Sequence, residues 1–401
     1  RIRMKCAKAI LYLGGFASLC LQVWAFTPPH QGPRKTIMKM GLNDEGEVDR
    51  REFGFDVAAK GLAASLFSTF FGTQKALAEE ESALSPKTII ITGANSGVGL
   101  AGGKKLAARG HAVYVACRTQ AKADRAAQEI GAAGAFECDL SSLESVRGFA
   151  AAWAAQQGGR PVDALCLNAG MAPNTKQPAA KYTAQGFEET IGVNHLGHFL
   201  LASLLIKNLE SSKQANPRLV VTASSVHDPD QPGGDVGSKA ALGDLLGLEG
   251  YFQKGTFDMV DGGAFDGDKA YKDSKLCNVL FTTEMQRRLA AKGSKVTCNC
   301  FSPGLIPTSG LFRNQNPLFS GAFGLITGAV GVAATVEQGG DCLAYLVDAP
   351  ELEGQGGLFL TTQPGKPKSD FGPFPISKEA SDVSKAKSLF ELSTKLVKDF
   401  A

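Results

Sequence analysis

The sequence predicts an α/β fold: one domain built on a doubly wound parallel sheet. Three observations carry that reading. From Pro86 onward, short β-branched apolar runs alternate with longer amphipathic stretches; the apolar runs are nearly continuous; and a glycine turn joins the first run to the first amphipathic stretch. A strand covered on both faces needs no polar alternation, so continuous runs call for helices above and below the sheet, the Rossmann-like arrangement. Strands are predicted at Thr88–Thr92, Ala112–Ala116, Ala164–Leu167, Leu219–Thr222, Val296–Phe301 and Gly357–Leu360. Helices are predicted at Val98–Arg109, Gln120–Ile130, Leu143–Gln156, Val193–Leu209, Asp268–Lys292 and Glu337–Leu346, from their length and Ala, Leu, Lys and Glu content. No internal repeat is visible.

Composition narrows the function. With 44% apolar and 20% charged residues, the 401-residue chain has the balance of a globular protein. Its 42 Lys and Arg against 39 Asp and Glu leave a formal +3, which provides no basic field for nucleic acid. The nine Cys (6, 20, 117, 138, 166, 277, 298, 300 and 342) have no CxxC spacing and His are few, so neither a disulfide framework nor a metal site is expected.

The N-terminal part reads as address. Lys5 and Lys8 precede an uncharged apolar stretch from Ala9 to Phe26, the layout of a secretory signal over residues 1–26. Its end, Trp24-Ala25-Phe26-Thr27-Pro28, resembles the Ala-Phe cleavage signature of algae with complex, red-lineage plastids, which makes residues 27–83 a plastid transit segment. Within that segment Arg50-Arg51, the apolar run Phe53 to Phe71 and the small-residue site Ala76-Leu77-Ala78 resemble a twin-arginine signal directed to the thylakoid, on either its stromal or its lumenal side; a linker helix with two incidental arginines is the alternative. The folded domain is expected over residues 84–401.

The first predicted strand leads into Thr92-Gly93-Ala94-Asn95-Ser96-Gly97-Val98-Gly99. Glycines at this place let backbone amides approach a pyrophosphate at the positive end of the next helix, so Gly93, Asn95, Ser96, Gly97, Val98 and Gly99 are candidate dinucleotide-binding residues. The form TGxxxGxG resembles the short-chain dehydrogenase/reductase superfamily. The second strand ends at Cys117-Arg118 without the carboxylate that an NAD enzyme carries there. Arg118 and Lys122, four apart, can instead bind a 2′-phosphate, which favours NADPH. Asp139, after a third strand that is expected between Arg118 and Asp139 without bounds, and Asn168 and Gly170, after the fourth (Ala164–Leu167), lie at the strand ends where the crevice of such a sheet forms.

In Ala270-Tyr271-Lys272-Asp273-Ser274-Lys275 the phenol and ammonium are four residues apart and share a helix face. A neighbouring Lys favours the phenolate and eases proton transfer from Tyr271. Ser224 or Ser225 at the end of the fifth strand, and Asn194 on the preceding helix, complete a Ser, Tyr, Lys and Asn set that resembles the superfamily's active site, with Ser224 in the better register. His195 and His198 are read as structural.

The long insert between Ser224 and Tyr271 sharpens the resemblance. Together with Gly243-Asp244-Leu245-Leu246-Gly247-Leu248-Glu249, Asp261-Gly262-Gly263-Ala264-Phe265, the run Lys269 to Asn278 and Gly310-Leu311-Phe312-Arg313-Asn314, it is similar to the light-dependent protochlorophyllide oxidoreductases over residues 86 to 400. The resemblance implies light-driven reduction of the pigment's C17=C18 double bond with NADPH as hydride donor, in chlorophyll biosynthesis. It makes Tyr271 the proton donor or the organiser of the donor network, Lys275 the holder of the nicotinamide ribose that also tunes Tyr271, and Asn194 a shaper of the site. Cys277 matches a family cysteine linked to pigment binding; a small buried hydrophobe is its alternative reading.

Some residues depart from the family pattern. Asn168-Ala169-Gly170-Met171-Ala172-Pro173 lacks a second Ala and an aromatic, Ser224 stands where Thr is usual, and Val226-His227-Asp228-Pro229 is an atypical continuation, all on the expected substrate side. Two alternatives therefore stay open: a plastid sister enzyme with another hydrophobic substrate, and a non-catalytic pigment- or nucleotide-binding scaffold. The uncharged stretch from Asn314, broken by Pro317 and several glycines, is expected to be an apolar lid able to rest on a membrane surface. Lys378 to Phe400 reads as an amphipathic helix for packing or for homo-oligomer contact.

Overall fold

The computed structural model describes residues 86–307, 334–362 and 370–401. In chain order these form β1 (Thr88–Thr92), α1 (Gly97–Ala108), β2 (Ala112–Cys117), α2 (Gln120–Ile130), β3 (Gly134–Glu137), α3 (Leu143–Gln157) and β4 (Ala164–Leu167). A helical turn (Glu189–Ile191) and a π-helical turn (Gly192–Leu196) then lead into α4 (Gly197–Glu210), followed by β5 (Arg218–Thr222), α5 (Leu246–Lys254), α6 (Gly267–Ala291) and β6 (Thr297–Phe301). The chain closes with α7 (Val336–Asp348), β7 (Phe359–Thr362), β8 (Phe371–Pro373) and α8 (Val383–Val397). The strands make one sheet in the order β3-β2-β1-β4-β5-β6-β7-β8, parallel except for the antiparallel β8.

The continuous apolar runs are explained by cores on both faces. Along β1, Ile90 faces one core, with Trp153, Phe149, Phe199 and Leu200, while Ile89 and Ile91 face the other, with Leu106, Leu343 and Val347. α1 and α7 approach each other through glycine. A Cβ on Gly340 would lie 2.6 Å from the Ala101 Cβ, and one on Gly339 2.7 Å from the Val98 side chain, so α7 backs the helix that follows the glycine turn. At the opposite end of the sheet Asp348 ties Lys87, Arg109 and His111 together.

Observed elements differ from the expected ones mainly at the sheet edges. β3 has only Phe136 buried, and β8 none of its residues, so neither carries the apolar run that marks the inner strands. The seventh strand begins at Phe359, because Gly357 turns the chain at φ +82° just before it. α5, inside the long insert, has no counterpart in the sequence reading. Among the described residues no helix is long and apolar enough to cross a membrane. The expected segments 1–26 and 27–83, the Gly310–Asn314 run, and the lid except its last residues lie outside the described residues.

Candidate active site

The ends of β1, β4 and β5 meet α1, the π-turn and the first half of α6, and most of the predicted site residues converge there. The glycine turn has the backbone such a site needs. Gly93 and Gly97 lie at φ +66° and +58°, in the left-handed region that favours glycine. A Cβ on Gly93 would lie 2.8 Å from Ala169 Cα and one on Gly99 2.5 Å from Asn168 Nδ2, whereas one on Gly97 would meet nothing within 4 Å.

Asn95 and Ser96 are exposed. Ser96 makes no side-chain cap and the first turn of α1 carries no acid, so its leading amides and open Gly97 face suit a pyrophosphate. Asn168 braces the turn by donating from Nδ2 to Thr92 O (2.9 Å), and Asp139 is taken up locally by the Ser141 amide and hydroxyl.

Arg118 is exposed and Lys122 half-buried beyond the end of β2. A carboxylate does reach this corner, from β3: Glu137 accepts from the Gln120 amide at 3.1 Å and caps α2. The reading of β2 alone could not find Glu137, because sheet register brings it there.

On α6, Lys275 Nζ lies 5.6 Å from the Tyr271 ring centroid and donates to Thr222 O at 3.1 Å. A methyl group built on Gly170 would lie 3.5 Å from Asn194 Oδ1 and 3.7 Å from Lys275 Nζ, so this turn is flanked by both side chains. Asn194 is fully engaged. Its Oδ1 accepts from Met171 N, and its Nδ2 donates to Met171 O and to Ser274 Oγ, all at 2.9 Å. Ser274 in turn donates to Tyr271 O at 2.6 Å. Of the two serines, Ser224 is the one that acts on the Tyr271 phenol, whereas Ser225 turns to Thr361 at 3.3 Å.

Two electrostatic findings modify the sequence reading. Burial pushes the Tyr271 phenol up, with only Ser224 opposing it, so the group is a firmly protonated phenol rather than one drawn toward phenolate. The expected help from Lys275 is missing because its ammonium sits over the ring face and bonds Thr222 O. Burial also lowers Lys275 to about 8. Cys277 does not join the group: it is 0% exposed in the core, and burial, then Asp273 and Glu379, hold its thiol well up. Six residues beyond Tyr271, it points to another side of α6.

The rest of the Tyr271–Lys275 run holds the insert. Lys272 Nζ donates to Val236 O, to Ser238 O (2.7 Å) and to Asp268 (3.1 Å), while Asp273 accepts from Ala241 N (2.9 Å) and Lys269 Nζ (2.6 Å). The atypical His227 is buried rather than lining a cleft. Its Nδ1 donates to Ser224 O at 2.8 Å, and its Nε2 accepts from Ser377 N at 3.3 Å. Thr92, Ser274 and His198 were not among the predicted site residues; the available signals were the place of Thr92 at the head of the glycine motif and of Ser274 between Tyr271 and Lys275.

The short chain dehydrogenase family model matches residues 87–245. The chain is 40% identical over 330 residues to the chloroplastic protochlorophyllide reductase of Cucumis sativus, covering 80% of this chain and 81% of that one. It is 41% identical over 345 residues to protochlorophyllide reductase A, chloroplastic, of Oryza sativa subsp. japonica, covering 84% and 86%. Among solved structures, an uncharacterized protein from Mycobacterium paratuberculosis matches with TM-score 0.53 and 30% identity, covering 79% of this chain and 97% of that one.

Proposed function

This chain belongs to the short-chain dehydrogenase/reductase superfamily and, within it, to the protochlorophyllide reductases, and from that membership we propose that it reduces the C17=C18 bond of protochlorophyllide in the plastid, with NADPH and light. The observation that carries the reading is the meeting of Ser224, Tyr271, Lys275 and Asn194 beside a glycine turn shaped for a pyrophosphate. The family departures weigh little against it. Asn194 grips Met171 through backbone atoms, which any residue there supplies, and His227 is a buried strut.

When bound, NADPH supplies the hydride. The amides of the glycine turn and of α1 would hold its pyrophosphate, Arg118 and Lys122 its 2′-phosphate, and Lys275, Asn168 and Gly170 would lie toward the nicotinamide ribose. Tyr271, protonated and under the influence of Ser224, holds the proton for the second reduced carbon. Lys275 supplies positive charge beside the phenol as that proton leaves, and Asn194 and Ser274 fix the start of α6 against the 171 loop.

The deciding experiment mixes the purified chain with protochlorophyllide and NADPH and follows pigment absorbance in darkness and under illumination. Product is expected only in the light; equal conversion in darkness rejects the photochemical part, and no conversion in either rejects the substrate. In fluorescence titrations NADPH should bind well ahead of NADH. Arg118→Ala should erase about tenfold or more of that preference, the size of one hydrogen bond to a charged group; equal affinities in the unaltered chain would refute the 2′-phosphate assignment.

A further inference from the structure

A file of hydrogen bonds leads from the glycine turn to α6 through His198, a residue with no part in the chemistry above. The Asn194 carbonyl can only accept, and at 3.2 Å it takes the proton of His198 Nδ1. In the neutral ring this leaves Nε2 bare, to accept from the Thr92 hydroxyl at 2.9 Å, nearer than the Cys166 carbonyl that competes for the same proton at 3.3 Å. Burial lowers the ring to about 3, so it stays neutral at physiological pH. The Thr92 oxygen accepts from the amides of Asn168 and Ala169 at 2.9 and 3.0 Å. Beyond the Asn194 carbonyl, the side chain of the same residue continues the file to Ser274 and Tyr271 O. Every donor along the first half points the same way, an arrangement in which each bond strengthens the next.

Asn194 needs such a hold because it sits in a π-helical turn, where Gly197 N donates to Gly192 O rather than to the carbonyl one residue later. Resting on the function proposed above, we infer that His198 is a positioning residue for the reduction: it pins the Asn194 backbone to Thr92 at the foot of the glycine turn and so keeps the proton-donating side chains of α6 in register with the nucleotide loop. The imidazole suits this place because it joins a carbonyl on one side to a hydroxyl proton on the other without carrying charge.

The test uses the full chain and five variants: His198→Phe, His198→Asn, His198→Gln, Thr92→Val, and the double variant His198→Phe/Thr92→Val. His198→Phe should lower product per light flash, at saturating NADPH and pigment, by about tenfold to a hundredfold, the effect of a small misplacement of reacting groups. NADPH affinity should move by less than about threefold. His198→Asn, whose amide nitrogen falls near the Nδ1 position, should recover most of the loss, and His198→Gln should recover less. The double variant should be no worse than the more damaged single one, because both break the same file.

Unchanged turnover in His198→Phe, a loss borne equally by NADPH affinity, or strictly additive losses would each overturn the inference. If His198→Phe does not fold, the Asn and Gln variants carry the test, and equal losses in the two overturn it. A wild-type chain that fails to reduce pigment rejects the proposed function alone. The inference is then read from the ¹⁵N shift of the Asn194 side-chain amide with NADPH present, which His198→Gln should move and His198→Asn should keep; no movement in either rejects it.

Discussion

Tyr271→Phe should lower pigment reduction under illumination by about 10²- to 10⁴-fold, the range for loss of a positioned proton donor. The variant removes one oxygen and keeps the ring over which Lys275 sits at 5.6 Å, so α6 and the nucleotide loop should be undisturbed. NADPH affinity should accordingly be retained while turnover is lost, a split that separates a role in proton delivery from a role in binding. Single-turnover absorbance after a flash, with a fluorescence titration of NADPH on the same sample, measures both. Turnover within twofold of wild type would instead favour a scaffold that binds nucleotide and pigment without donating a proton through this phenol.

Asp348→Ala should cost about 3–5 kcal/mol of folding stability, the loss associated with removing one partner of a buried ion pair. The carboxylate is 5% exposed and accepts from Lys87 Nζ and His111 Nε2 at 2.9 Å and from Arg109 at 3.2 Å. His111 Nδ1 accepts from Lys87 N, which leaves its Nε2 proton for Asp348. Without the carboxylate, the starts of β1 and β2 and the end of α7 lose their common anchor. Burial alone would raise this carboxyl, but the hydrogen bond from His111 and the charge and hydrogen bond of Lys87 outweigh it and hold the group well below the usual carboxylate range.

The sign of the pH effect follows from that depression. The contribution is present above the unfolded value of about 3.9 and is lost as pH falls through the lower folded one. Urea unfolding of both proteins from pH 7 to pH 2 should show the gap between them closing only below about pH 4. A gap under about 1 kcal/mol at pH 7 would mean that the cluster is no better than a surface pair.

Most of the inner sheet was legible because its cause is local. Continuous apolar runs such as Thr88–Thr92 and Ala164–Leu167 were found at their observed bounds, as was α2. The glycine turn was legible too, since positive φ at Gly93 and Gly97 is a demand that the residue type itself announces. The edge strands were less so: β3 was expected ahead of Asp139 but without bounds, and β8 was missed, because a strand with one neighbour and an exposed side needs no apolar pattern. The tyrosine and lysine on α6 could be chosen by spacing, but spacing says nothing of burial. For that reason the direction in which the Tyr271 phenol shifts runs against the sequence reading, and Cys277 takes the second of its two readings, a small buried hydrophobe.

The sequence by itself determined the inner strands and the helices that cover them, the glycine turn, and the phenol and amine one helical turn apart, because each follows from the conformational and side-chain preferences of neighbouring residues. Only the tertiary structure decided which groups act together. The chain brings Thr92, Asn168, Asn194, His198 and Ser274 into one hydrogen-bonded file, carries Glu137 across from β3 to the corner beside Arg118, and turns His227 inward as a strut. The physical reason is that a hydrogen bond or a desolvation penalty depends on distance and exposure in space, and residues far apart in the chain meet only when helices pack on both faces of the sheet.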